Sequence, residues 1–127
     1  MTITWLTYVY VAIGGAIGAC LRLFTNVVFI NLLGKSSVFA TLSVNVVGSF
    51  CIGLAYAHFM THSQINDDLK MFIIVGILGA LTTFSTFSLE VLLLLQQGEW
   101  LHAVITVFLN VCLCVLAVWC AMMLIKG

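Results

Sequence analysis

The chain has no proline among its 127 residues. Any interruption of a helix must therefore come from glycine, or from hydroxyl side chains that compete for backbone hydrogen bonds. Charge is nearly as scarce: Lys and Arg number 4, Asp and Glu number 4, and the net charge is zero. A soluble domain of this length needs many more charges to cover its surface, so the composition excludes one. There is no basic patch either, and nucleic acid is not expected as a partner. No Lys or Arg precedes the first apolar run, and no small-residue cleavage site follows a short core, so a removable signal peptide is not expected. The cysteines (Cys20, Cys51, Cys112, Cys114 and Cys120) are odd in number, lack Cys-x-x-Cys spacing and lie in apolar runs. They read as small packing residues, not as a redox or metal centre. With no metal triad and no nucleophile–base pair at usable spacing, an enzyme is not expected.

What the chain does have is apolar: 64% of it is hydrophobic. Four runs, about 5–31, 38–60, 71–95 and 100–125, are each long enough to cross a bilayer, which takes roughly 20 residues. The expected fold is an all-α membrane protein with four transmembrane helices in one domain, 1–127, without an extramembrane module. Trp5, Tyr8 and Tyr10 suit an aromatic belt at the first interface. Gly14, Gly18 and Arg22 recur every fourth residue and share a helical face, with Gly14-x-x-x-Gly18 a close-packing pattern. Gly34-Lys35-Ser36-Ser37 reads as a turn.

The third run carries the densest chemistry. From Thr82 to Ser88 every residue is a hydroxyl carrier or a phenylalanine. Unsatisfied polar groups are costly in hydrocarbon, and interrupted helices at membrane depth are tolerated where the backbone is buried in protein or lines a watery path. The third helix is therefore expected to break near its middle, and Met71–Leu95 to hold the ion-handling element. Gly79 and Thr82 flank the expected break, where freed carbonyls suit a cation. Phe84 and Phe87 are three apart and are expected on one face. They either pack in the core or present their positive ring edges to an anion.

Polar residues recur at helical spacing on the neighbouring runs: Thr41, Asn45 and Ser49 on the second, Thr106, Asn110 and Cys114 on the fourth. Asn45 either bonds a neighbouring helix or lines a pathway. Donors from Thr83, Ser88, Asn45 and Asn110 along one track, with no fixed positive charge, would resolvate an anion without trapping it. Glu90 is the one carboxylate inside a run. It either pairs with Arg22 or a lysine, or sits near the boundary as a helix-stabilising acid. Asn66 is placed to cap the third helix, with Asp67 and Asp68 in its first turn, and Gly98 to close its end. His58 and His62 are four apart and read as interfacial.

The basic residues give almost no orientation bias. Lys70 and Lys126 fall on one side, Lys35 on the other, joined by Arg22 if it reaches the interface. Such a chain is expected to insert both ways and to form an antiparallel dual-topology homodimer. One four-helix bundle is too thin to shield a watery path from lipid, so a second copy of the chain is the expected partner.

Gly79-Ala80-Leu81-Thr82-Thr83-Phe84-Ser85-Thr86-Phe87-Ser88 closely resembles the signature of the Fluc family of fluoride ion channels. Gly14 to Arg22 and Thr41 to Phe50 resemble that family's motifs in the first two spans, so the likeness covers essentially the whole chain. The resemblance implies a homodimer in the inner (plasma) membrane with two fluoride pathways, passively expelling fluoride that entered the cytoplasm as the neutral acid. It implies that Phe84 and Phe87 make edge-on anion contacts, with Asn45 a pathway donor and Arg22 an essential arginine near a pore entrance. It makes the Gly79 and Thr82 carbonyls ligands of a structural sodium ion (Na+) on the two-fold axis. The fourth span departs from the family pattern, because Thr106, Asn110 and Cys114 stand where an aromatic and serines are expected. The alternative is a proton-coupled exporter of small cations resembling the small multidrug resistance family. That mechanism needs an acid in the first span, which here carries Arg22 instead.

Overall fold

A computed structural model of the protein describes residues 2–34 and 37–127. The described residues form helices and no strands. The first span is α1 (Trp5–Leu33) and the second is α2 (Ser37–Thr61). The third is composite: α3 (Asp67–Met71), a π-helical segment (Phe72–Leu78), α4 (Gly79–Leu81) and α5 (Ser85–Gln96). The fourth is α6 (Trp100–Lys126). Four stretches are long and apolar enough to cross a membrane: Trp5–Leu33, Val38–Thr61, Asp67–Gln96 and Trp100–Lys126.

Local chemistry sets the ends. At the start of α1, Thr7 Oγ1 accepts the Thr4 N–H at 3.1 Å. At its close, Gly34 adopts φ 78°, a left-handed conformation that glycine takes without a Cβ penalty, and its N–H bonds the Ile30 carbonyl at 2.8 Å. Lys35 and Ser36, the middle of the expected turn, lie outside the described residues. Asn66 caps the third span, its Oδ1 accepting the Asp68 N–H at 2.8 Å. Asp67 and Asp68 then sit in the first turn, so this span begins earlier than its apolar run. Gly98, with φ 79°, follows the end of α5.

Packing sorts the spans into two pairs. α1 lies along the π segment and α4, while α2 lies along α6. In the first pair Thr7 meets Asp68, and Gly14 faces Gly76. In the second Asn45 meets Asn110, and Gly53 faces Val118 and Ala121. The separation in sequence stays nearly constant along each pair, so the helices within a pair run parallel. Their closeness depends on missing side chains. A Cβ on Gly14 would lie 2.6 Å from the Phe72 carbonyl oxygen, and one on Gly18 would run into the Ile77 carbonyl. In lipid, helices gain little from apolar burial against one another, and close backbone approach supplies the attraction instead.

The third span links the two pairs. Its first half packs on α1, and its second half, α5, on α6 and α2. The change of partner comes where helical bonding lapses. Leu81 ends α4, Thr82 is extended at φ −81°, ψ 157°, and α5 resumes at Ser85. The third span is thus bent near its middle, at hydroxyl residues and without proline. Much of the fully buried apolar core is small, with Ala40, Ala57, Ala103 and Ala121 among it, whereas Leu23, Phe24, Phe108 and Trp119 face outward.

Candidate functional site

The bend is held by a side chain. Asn45, midway along α2 and only 8% exposed, reaches across to Thr83. Its Oδ1 accepts the Thr83 N–H at 2.8 Å, and its Nδ2 donates to the Thr83 carbonyl at 3.0 Å. The carboxamide thereby supplies both backbone bonds that Thr83 gives up by leaving the helix. The same Nδ2 donates to Asn110 Oδ1 at 3.0 Å, and Asn110 Nδ2 donates to the Thr106 carbonyl at 3.0 Å. One feature of α2 makes room for this: a Cβ on Gly48 would strike Thr82 Cγ2.

The diverted bonds leave specific oxygens behind. In a continuous helix the Thr83 N–H would bond the Gly79 carbonyl and the Thr86 N–H would bond the Thr82 carbonyl. Here Thr83 N–H goes to Asn45 Oδ1, and Thr86 N–H goes to Thr83 Oγ1 at 3.1 Å. Gly79 and Thr82 are thus at the two ends of the run of carbonyls, 79–82, whose helical donors the break removes. Carbonyl oxygens of this kind suit a hard cation, so the residues present fit the group that the sequence led us to expect there.

Two cavities flank the bend. The larger, about 470 Å³, is walled by Asn45, Ser49, Thr82, Phe84, Phe87, Asn110 and Cys114 among others. Both rings line this cavity, but they are not equally buried. α5 starts only at Ser85, so Phe84 precedes the helix and is 76% exposed, whereas Phe87 lies inside it and is 6% exposed. They meet edge to face, with centroids 5.4 Å apart and planes at 67°. One ring therefore lines the cavity from within and the other at its open rim.

The smaller cavity, about 260 Å³, contains Arg22, Asn26, Thr41, Thr83 and Thr86. Because α1 continues to Leu33, Arg22 sits well inside that helix, and it lines this pocket. Glu90 is 7% exposed, and its Oε1 accepts a hydrogen bond from Thr41 Oγ1 at 2.6 Å. Thr41 reaches Glu90 from α2, the helix that also carries Asn45. Elsewhere an ion pair joins Lys70 to Asp67 at 3.5 Å.

Other expected residues fall outside this arrangement. Ser88 is exposed and turns its hydroxyl back to the Phe84 carbonyl at 2.9 Å. Thr106 is buried, but its hydroxyl donates to the His102 carbonyl at 2.8 Å. His58 and His62 stack at 4.2 Å on the exposed end of α2. Sequence reasoning missed Asn26 and Thr86 as pocket residues. The available signal was modest: Asn26 follows Arg22 by four positions, a polar residue on the same face of an apolar run.

Residues 9–122 match the family model described as CrcB-like protein, Camphor Resistance (CrcB). A fluoride-specific ion channel FluC of Shewanella denitrificans is 50% identical over 116 residues, 91% of this chain and 93% of that protein. The protein of the same name from Alteromonas mediterranea is 49% identical over 120 residues, 94% of each chain. That of Shewanella loihica is 48% identical over 117 residues, 92% of this chain and 94% of the relative.

Proposed function

This chain belongs to the CrcB-like protein family, and on that premise we propose that it is a fluoride-specific ion channel, a multi-pass membrane protein whose anion path runs beside the bend in the third span. The observation that carries the reading is the larger cavity. It brings two phenylalanines, an amide pair and hydroxyls together in an otherwise apolar chain. Ring edges are weakly positive, and amide and hydroxyl protons replace part of an anion's hydration. None of the cavity's walls carries a fixed positive charge, so binding stays weak enough for release. Arg22, in the pocket on the other side of the bend, draws anions towards the protein without lying in that cavity.

Three finer features belong to the same reading. The working unit is an antiparallel homodimer, supported by the open rim at Phe84 and by the balanced placement of the basic residues. A sodium ion is held by the Gly79 and Thr82 carbonyls of the bend, supported by the diversion of their helical donors. When bound, it would offset the carbonyl dipoles that the break leaves without helical donors. Flux is passive, and in the cell it runs outward. Fluoride enters as the neutral acid, ionises at cytoplasmic pH and then leaves as the ion through the channel.

The test is anion efflux from liposomes carrying the purified full-length protein. Fluoride leaves at a rate that chloride does not approach. Equal rates for the two ions, or none for fluoride, overturn the reading.

A further inference from the structure

The last turn of α2 carries chemistry that neither cavity uses. His58 and His62 are four residues apart, and the His62 N–H bonds the His58 carbonyl at 3.0 Å, so helical geometry extends through both. Both side chains are exposed, where the second span gives way to the polar 62–66 loop. Their ring centroids lie 4.2 Å apart, with the planes 27° from parallel. Such spacing puts two side chains on one helical face, but it does not say which ring nitrogens are free.

The surrounding hydrogen bonds do say so. Thr61 Oγ1 donates to the His58 carbonyl at 2.8 Å, which uses its only hydrogen. His62 Nδ1 lies 2.9 Å from that threonine oxygen and 3.1 Å from the same carbonyl. Both neighbours can then only accept, so the His62 proton belongs on Nδ1 and Nε2 keeps its lone pair. A carbonyl on Nδ1 is the arrangement that fixes tautomer and ring orientation in imidazoles that bind metals. The His58 ring makes no hydrogen bond through its nitrogens among the described residues, so it is free to turn towards His62. Two imidazole nitrogens bound to one metal stand roughly 3 Å apart, given bonds of about 2.0–2.1 Å. Rings already in contact reach that separation by a small rotation of His58.

We propose that His58 and His62 form a binding site for a divalent transition-metal ion that favours imidazole, namely Cu2+, Ni2+ or Zn2+. His62 Nε2 and one nitrogen of His58 are the ligands, and Thr61 is a positioning residue. Among the described residues no group of three His, Cys, Asp or Glu gathers to hold a metal, so water completes the coordination shell and the ion exchanges readily. Cu2+ binds more tightly than Ni2+ or Zn2+, and Mg2+, which requires oxygen ligands, is not taken up. The site is separate from the channel reading: the α2 residues that line the larger cavity end at Ile52, about 9 Å along the helix from His58.

The experiment is calorimetric titration of Ni2+ into the full-length protein, free of any affinity tag, in detergent and a non-coordinating buffer of neutral pH. Mg2+ is titrated alongside. Wild type takes up one Ni2+ per chain and no Mg2+. His58→Ala and His62→Ala each weaken Ni2+ binding by at least about tenfold, and Thr61→Val weakens it to a smaller extent that Thr61→Ser restores. These positions are exposed, so every variant is expected to match wild type in size-exclusion elution and thermal midpoint. Uptake by the exposed thiols of Cys20, Cys112 and Cys120 persists in both histidine variants and is thereby separated. No Ni2+ uptake by wild type, uptake unchanged in both histidine variants, or half an ion per chain overturns the proposal. Unchanged affinity in Thr61→Val removes the threonine from it. Fluoride efflux is not a readout here, so failure of the channel reading and failure of this inference are seen separately.

Discussion

Phe84 and Phe87 are chemically identical but differently placed. Phe87 is buried among α5, α2 and α6, while Phe84 is largely exposed at the cavity rim. Replacing either by isoleucine keeps an apolar side chain and removes the ring edge. Phe84→Ile and Phe87→Ile are each expected to lower fluoride efflux from liposomes. They should separate in thermal unfolding, where Phe87→Ile costs about 1 kcal/mol from altered packing and Phe84→Ile almost nothing. Undiminished flux in both variants removes the edge-on contact from the mechanism. The sequence made both rings visible as candidates, because phenylalanines among hydroxyls stand out. Their inequality was not legible, since it depends on the helix starting at Ser85 instead of before Phe84. The hydrogen-bond commitments of Asn45 were hidden for a similar reason: spacing shows which groups share a face, not which donors are already engaged.

The bent third span is the element on which the site depends, and its bend is set from outside by Asn45 on α2. Asn45→Ala removes two bonds to Thr83 and one to Asn110 from a buried place. The Thr83 N–H and carbonyl are then left without partners, a loss of about 2–4 kcal/mol. The expected result is a lower unfolding midpoint in detergent, with faster amide exchange at Thr83 than in wild type. Glycines govern the other half of the same span. Gly18→Ala drives a methyl into the Ile77 carbonyl and is expected to destabilise the protein by about 1–3 kcal/mol. Gly15→Ala, one residue away, meets nothing within 4 Å, and is expected to be neutral or to stabilise by about 0.5–1 kcal/mol. Thermal unfolding of the two variants side by side checks both. The four spans and the bend could be read in the sequence from long apolar runs and clustered hydroxyls. The π-helical segment Phe72–Leu78 could not, because no residue pattern distinguishes an i→i+5 turn from an ordinary one in an apolar run.

At the scale of the whole molecule, orientation and partnership follow from very few charges. Lys70 and Lys126 oppose Lys35, and Arg22 lines a pocket beside the bend. A C-terminal tag is therefore expected to be accessible from both faces of the membrane in intact cells and inverted vesicles. Adding two or three lysines to the 61–66 loop should drive copies into one orientation and abolish fluoride resistance, and co-expression with an oppositely biased variant should restore it. A tag found on a single face overturns the antiparallel dimer. Composition alone made the membrane assignment legible, but not which spans pair. The pairing of first with third and second with fourth rests on glycine and asparagine contacts some sixty residues apart in the chain. This interleaving bears on biogenesis. When the first hairpin enters the bilayer, neither of its principal neighbours has yet been synthesised. Its glycine notches and the Asn45 carboxamide wait in lipid until the second hairpin arrives. Slow arrival, or severing the link between the hairpins, leaves that amide unsatisfied in hydrocarbon, and it is at this stage that the nascent chain is most exposed to quality-control proteases.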